Sequence, residues 1–363
     1  MLLTLDGAFY RRLAVTAAAL IVYHLGCAVP VPGLSTDLIG QLLRSSGLPP
    51  ASVSVCALGV MPLITVLILA ELLRTIAPGV RRWEQASPAN REFAGYAIIT
   101  LALATAAVQA TSLAGALEGV SGLVIEPGAL FRSTTVATMV GGVALLIALA
   151  GAIDRAGLGY GVLLLFLAPT LADLPINLLA IADAYSGGTY PLSSIVLAGL
   201  FTASAVAAVV GLVLAARGAA GGTKATAAAC IWPLLIAYTL LAWVLFGVGM
   251  AITGGSIDQA VALMAPGGSV RYVALAAIII LTVGLYVRSN RIAGLPSPVP
   301  AAPIAAALAA IALSAELLQS QLQTALPLSS VQVVIAAVVA TTILLDQGLR
   351  RGNEPETTLS PQA

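Results

Sequence analysis

The stretch VYHLGCAVPVPG (22–33) closes the first long apolar run of the chain. Pro30 and Pro32 stand one residue apart, with Gly33 directly behind them. A proline lacks the N–H that would continue a helix, and it pushes the residue before it out of the α region. The spacing therefore predicts a helix over 11–30 that ends abruptly. Its start, RRLAVTAAALIVYHLG (11–26), pairs two arginines with an apolar run, as a signal peptide does. A cleavage site would need small residues after the run, and VPVPG stands there instead. The expectation is a retained helix that crosses a bilayer.

The rest of the chain supports that solvent. Of 363 residues, 60% are hydrophobic and 9% charged, where soluble domains carry about a quarter charged residues. Runs of about 20 apolar residues, enough to cross about 30 Å of hydrocarbon, recur along the whole length. Ten spans are expected, at 11–30, 55–77, 94–113, 134–153, 162–181, 193–216, 227–252, 271–288, 302–323 and 330–347. With both termini in the cytoplasm, only Arg44, Arg132 and Arg271 of the 16 lysines and arginines face outward. That is the bias of the positive-inside rule, and the opposite orientation inverts it.

Several features carry less. Residues 34–54 are too polar to cross, yet LIGQLL (38–43) avoids water, so a short re-entrant piece is expected. Irregular backbone at that depth survives only when buried in protein or lining a cavity. Cys27, Cys56 and Cys230 lie far apart in sequence, which suggests apolar packing and neither a disulfide framework nor a zinc site. GLGYG (157–161) lacks the strand and the Lys-Ser/Thr of a phosphate loop, so a tight turn is expected. The tail 351–363 is polar and expected to be disordered. No pattern of paired carboxylates, nucleophile and base, or metal ligands stands out, so neither an enzyme nor a cofactor is expected. Glu71, Asp173, Glu316 and Asp346 fall near span ends, where a carboxylate can reach an interface.

Five blocks resemble the SecY family, the central pore subunit of the bacterial protein translocon. YHLGCAVPVPGL (23–34) is similar to that family's first segment, which runs into I-P-V-P-G. CALGVMPLITVLILAELLRTIAP (56–78) resembles its A-L-G-I-M-P second segment. RAGLGYG (155–161), followed by ADLP (172–175), resembles its E-R-G-I-G-N-G turn and A-G-L-P. IWPLLIAYTL (231–240) is similar to its seventh segment, and ILLDQ (343–347) to the end of its tenth. The blocks stand in family order across the chain.

The resemblance implies an all-α polytopic membrane protein of ten transmembrane helices in two inverted five-helix halves around a central pore. The halves are 1–185, with a re-entrant plug-like segment at 34–54, and 186–350, followed by the tail. It implies a pore ring of Val60, Ile64, Phe166, Thr170, Leu235 and Val339, with Thr170 placing a hydroxyl where the family has an aliphatic side chain. It implies a lateral gate at Thr65, Gln109 and Ala227, where alanine replaces an asparagine. The implied function is a protein-conducting channel in the bacterial inner membrane, with a polypeptide substrate and SecE-like and SecG-like small subunits, and without nucleic acid.

Two loops depart from the family. RGAAGGTKA (217–225) and SNRIAGLPSPVPA (289–301) are short where relatives project long basic loops, so tight docking of ribosomes or of the SecA motor is not expected. A small-molecule or lipid transporter, or a non-conducting assembly factor, is the alternative on the same scaffold. A transporter calls for a polar cluster at mid-depth, and the sequence offers none.

Overall fold

The computed structural model describes residues 7–35, 38–40, 50–188, 191–217, 222–252, 268–296, 300–320 and 326–352. The middle of the expected re-entrant piece and the tail beyond 352 lie outside the described residues. Within them the fold is all-α: α1 (Gly7–Ala28), α2 (Met61–Ile76), α3 (Pro78–Ala86), α4 (Pro88–Glu118), α5 (Ala129–Ala156), α6 (Gly161–Ser186), α7 (Leu192–Ala215), α8 (Gly222–Ile252), α9 (Ser269–Ile292), α10 (Ala301–Ser320) and α11 (Ser330–Gly352). A short 3₁₀ turn, Pro50–Val53, precedes α2.

Seven of these helices are long and apolar enough to cross a membrane, or eight when α2 and α3 count as one bent pair. The seven are α4 to α10. The helix α1 carries the pair Arg11–Arg12, but its 22 residues reach about 33 Å at 1.5 Å each. Each of the ten expected spans falls on one of the described helices. Large apolar side chains point outward all along them: Ile21, Leu25, Leu130, Ile176, Leu179, Trp243, Val273 and Leu344 are each at least 60% exposed. A soluble protein does not leave such a surface in water; lipid is the solvent that tolerates it. The chain is a multi-pass membrane protein.

The helices divide into two compact units, Met1–Asp173 and Leu174–Ala363, with the division inside α6. In the first, α4 packs on α5 and α2, and α1 packs on α5. The face of α4 is a ladder of Ala102, Ala106, Ala110 and Ala114, four residues apart and each fully buried. Side chains at that spacing share one helix face, and their small size lets two membrane helices approach closely. In the second unit α9 packs on α8 and α10, while α11 packs on α7 and α8.

Sequence dictates where these helices stop. Ser87 caps α4 by accepting from the Asn90 amide at 3.1 Å, and Pro88 fills the first helical position. Glu118, at the end of α4, accepts from the Gly128 amide at 2.9 Å and from Arg132 Nε at 2.6 Å, which ties the entry of α5 to the exit of α4. The turn Gly157–Tyr160 is the tight turn expected from GLGYG. Gly159 sits at φ +85°, and the Ile153 carbonyl accepts from both Gly157 and Gly159. A Cβ on Gly161 would lie 2.1 Å from the Ala150 carbonyl oxygen, so only glycine lets α6 start against α5. Thr16 of α1 seals the turn by accepting from the Leu158 amide at 3.0 Å.

Candidate pore and gate residues

The VPVPG exit is where the first unit is stitched together. Beyond the end of α1, Pro30 pairs with Ser54 in an antiparallel bridge, and Leu34 pairs with Val124 in a second. Val31 donates to Val53 at 3.0 Å and Val55 to Val29 at 2.9 Å; Ser35 donates to Leu123 at 2.8 Å and Ile125 to Gly33 at 3.0 Å. The prolines free this backbone from the helix, and two other segments take up its hydrogen bonds. Gly33, at φ +87°, makes the sharp turn between the two bridges and lies close to the Phe131 ring. Beneath the bridges Val31, Leu34, Ile39, Val53, Leu123, Phe131 and Met139 form one apolar cluster.

This clasp delivers the chain to Val60, the residue that caps α2. Val60 and Ile64 are buried one turn apart, and Ile64 donates its amide to the Val60 carbonyl at 3.1 Å. Phe166 and Thr170 lie on α6, again one turn apart and both half-buried. In the second unit Leu235 and Val339 are buried on α8 and α11, which pack on each other. Of the gate residues, Thr65 is half-buried on α2 and returns its hydroxyl to the Met61 carbonyl at 2.9 Å. Gln109 is half-buried on α4, which packs on α2, and Ala227 is buried near the start of α8. The first unit therefore holds Val60, Ile64, Phe166, Thr170, Thr65 and Gln109, and the second holds Leu235, Val339 and Ala227.

Two of the carboxylates near span ends are paired with arginines. Glu316 on α10 is 7% exposed and takes a forked pair of hydrogen bonds from Arg271 on α9, 3.0 Å from Nε and 2.7 Å from Nη2. Tyr272 and Ser320 share a hydrogen bond of 2.6 Å beside this pair. Glu71 bridges Arg74 at 2.9 Å and Arg81 at 2.6 Å, and Arg74 reaches on to Glu84 at 3.0 Å. These ion pairs brace an elbow of 103° between α2 and α3. The elbow turns α3 across the axis of α2, with Trp83 exposed and its ring edge against Phe93. Exposed Trp83, Phe93 and Tyr96 mark the depth of a membrane interface.

The three cysteines are free thiols. Cys27 and Cys56, far apart in sequence, are brought together where Cys56 Sγ packs on Gly26 and Val55 donates to Val29. Cys230 is buried apart from them on α8. His24 is exposed, with its ring 5.3 Å from that of Tyr23. Among the described residues, no three metal-ligating side chains come together.

Long apolar helices in two units, an irregular clasp leading into α2 and aliphatic side chains buried on α2, α8 and α11 define an all-α polytopic membrane protein. A solved structure described as "The structure of a protein conducting channel" is similar over 100% of this chain and 97% of its own, with TM-score 0.59 and 14% identity. A structure of Sec61 in a canine ribosome-channel complex is similar over the same shares, with TM-score 0.60 and 14% identity. The SecY family model matches residues 54–220. Curated translocase subunits SecY are 30% identical: that of Haemophilus influenzae over 211 residues, 53% of this chain and 47% of its own, and that of Escherichia coli K12 over 185 residues, 47% and 42%. The chain spans about half the length of the curated relatives it matches. Over residues 54–220 it is similar to the SecY family, and over its whole length its fold is that of these channel structures.

Proposed function

We propose that this protein is a SecY-like protein-conducting channel subunit, which passes polypeptides through, or inserts them into, the bacterial inner membrane. The observation that carries this reading is the family match over 54–220, which covers the entry to α2 and the whole of α2 to α7. The buried aliphatic positions Val60, Ile64, Leu235 and Val339 support it. Together with Phe166 and Thr170 they form a ring in this reading, and an apolar constriction excludes water and ions by dewetting while yielding to a passing chain. Thr65, Gln109 and Ala227 line a lateral gate through which apolar segments leave for the lipid. The two inverted halves are 1–185 and 186–350, crossed by ten helices with both termini cytoplasmic, as the arginine distribution favours.

The partners follow from the same reading. The substrate is an unfolded or apolar polypeptide, and small SecE-like and SecG-like membrane subunits accompany the chain. The connection after α9 is shorter than the sequence suggests, because α9 continues to Ile292 with Ser289 and Asn290 buried. A stable docking surface needs on the order of 1,000 Å², and loops this short favour a specialised substrate over general ribosome or SecA traffic. The test is reconstitution in proteoliposomes with a signal-bearing polypeptide. Protease-protected polypeptide that depends on this chain supports the reading. Protection equal to that of empty vesicles, from folded protein, overturns it.

A further inference from the structure

Cys27 lies in the last turn of α1 and Cys56 stands four residues before Val60, so the pair flanks the Pro30–Ser54 bridge. Three contacts hold the thiols together. Val55 donates to Val29, two residues past Cys27, and Pro30 bridges Ser54, two residues before Cys56. Gly26 has no side chain, and a Cβ there would sit 2.7 Å from Cys56 Sγ, so the thiol rests directly on the last turn of α1. Cys27 is half-buried and Cys56 buried. Cys27 is therefore the more accessible residue of the two.

We propose that Cys27 and Cys56 are a thiol–disulfide modification site, whose oxidation closes residues 27–56 into a covalent loop and locks the clasp. The oxidant is a disulfide, either a small one or the active-site disulfide of an oxidoreductase. The Cys27 thiolate attacks one oxidant sulfur, forming a mixed disulfide and expelling the other sulfur as a thiolate. Cys56 then attacks Cys27 Sγ, forms the Cys27–Cys56 bond and expels the second oxidant thiolate. The two protons shed by the cysteines end on the two departing thiolates, so the chain loses two electrons and the oxidant gains them. A cross-link between segments that are already adjacent restricts the unfolded chain more than the folded one. In the orientation proposed above, this end faces the outside of the inner membrane, where disulfides persist. The chemistry itself does not depend on the conduction reading.

The experiment uses purified full-length protein treated with oxidised glutathione, alkylated, denatured and digested with trypsin. Cleavage after Arg12, Arg44 and Arg74 yields peptides 13–44 and 45–74, each holding one of the two cysteines. The expected result is that these peptides stay joined without reductant and separate with it, while Cys230 is recovered alkylated. Cys27→Ser and Cys56→Ser each abolish the link, and Gly26→Ala lowers its yield. The oxidised protein unfolds at a higher temperature than the reduced one, and reductant reverses the shift. Separate peptides with both thiols alkylated, from protein that remains folded, overturn the site. A joined pair with no shift in unfolding overturns the lock. Neither outcome bears on whether the chain conducts polypeptide, which the vesicle assay decides.

Discussion

Replacing Glu316 by glutamine keeps the shape of the side chain and one hydrogen-bond acceptor but removes its charge. Arg271 is then left as a cation beside a neutral amide, with 16% of its side chain exposed. A guanidinium cannot shed its proton, so its charge stays buried. Breaking a buried pair by removing one partner costs about 3–5 kcal/mol. Neutral hydrogen bonds between membrane helices are worth only about 0.6 kcal/mol on average, so the stranded charge dominates. The double variant Arg271→Met/Glu316→Leu removes both charges and returns to within about 1–2 kcal/mol of wild type, since apolar replacements of buried pairs are often neutral. The assay is unfolding in mixed micelles by titration with SDS, closed as a double-mutant cycle with the single variants Arg271→Met and Glu316→Leu. A Glu316→Gln cost under about 0.5 kcal/mol, or strict additivity of the two single changes, refutes the reasoning.

Adjacent glycines on α5 give opposite outcomes: a Cβ on Gly142 lies 2.2 Å from the Val55 carbonyl oxygen, while one on Gly141 meets nothing within 4 Å. Gly142→Ala lowers the yield of folded protein sharply, and Gly141→Ala is neutral or stabilising by up to about 1 kcal/mol, as read in the same titration. Ile64→Gly together with Leu235→Gly widens the proposed apolar seal and raises resting ion conductance in planar bilayers; unchanged conductance from folded protein removes these residues from the seal. With its short loops, the unmodified chain does not rescue a strain depleted of its housekeeping SecY, nor co-sediment with ribosomes at physiological salt, because such binding scales with the phosphates neutralised. Full rescue shows that loop length does not limit docking.

The helices were legible because lipid imposes length and apolarity on every crossing segment, and those are properties of sequence alone. The two prolines of VPVPG likewise announced the end of α1, and GLGYG its turn. What sequence could not supply was side-chain partnership across helices. Glu316 and Arg271 are 45 residues apart, and nothing local says that α9 and α10 turn them toward each other. Hydropathy places Glu316 near a span end but does not show that Arg271 meets it there. The elbow was hidden for a related reason. The short α3 is amphipathic and too polar to register as a span, and its direction is set by Glu71 reaching Arg81 across Pro78. The cysteine pair depends on the backbone bridge of Pro30 to Ser54, which carries no sequence signature. The ring and gate positions came from family resemblance, since a buried valine or isoleucine looks the same in a pore as in a core.

The most direct test of the central claim is where a moving polypeptide touches the protein. A photo-crosslinking amino acid is placed at position 64, and in a separate variant at 235, and a secretory polypeptide is stalled midway in proteoliposomes by a folded C-terminal domain. The account predicts that the stalled chain crosslinks at both positions, and that the adduct disappears once the chain is released. Protease-protected polypeptide with no adduct at either position, while a lipid-facing position such as 273 on α9 is labelled instead, contradicts it.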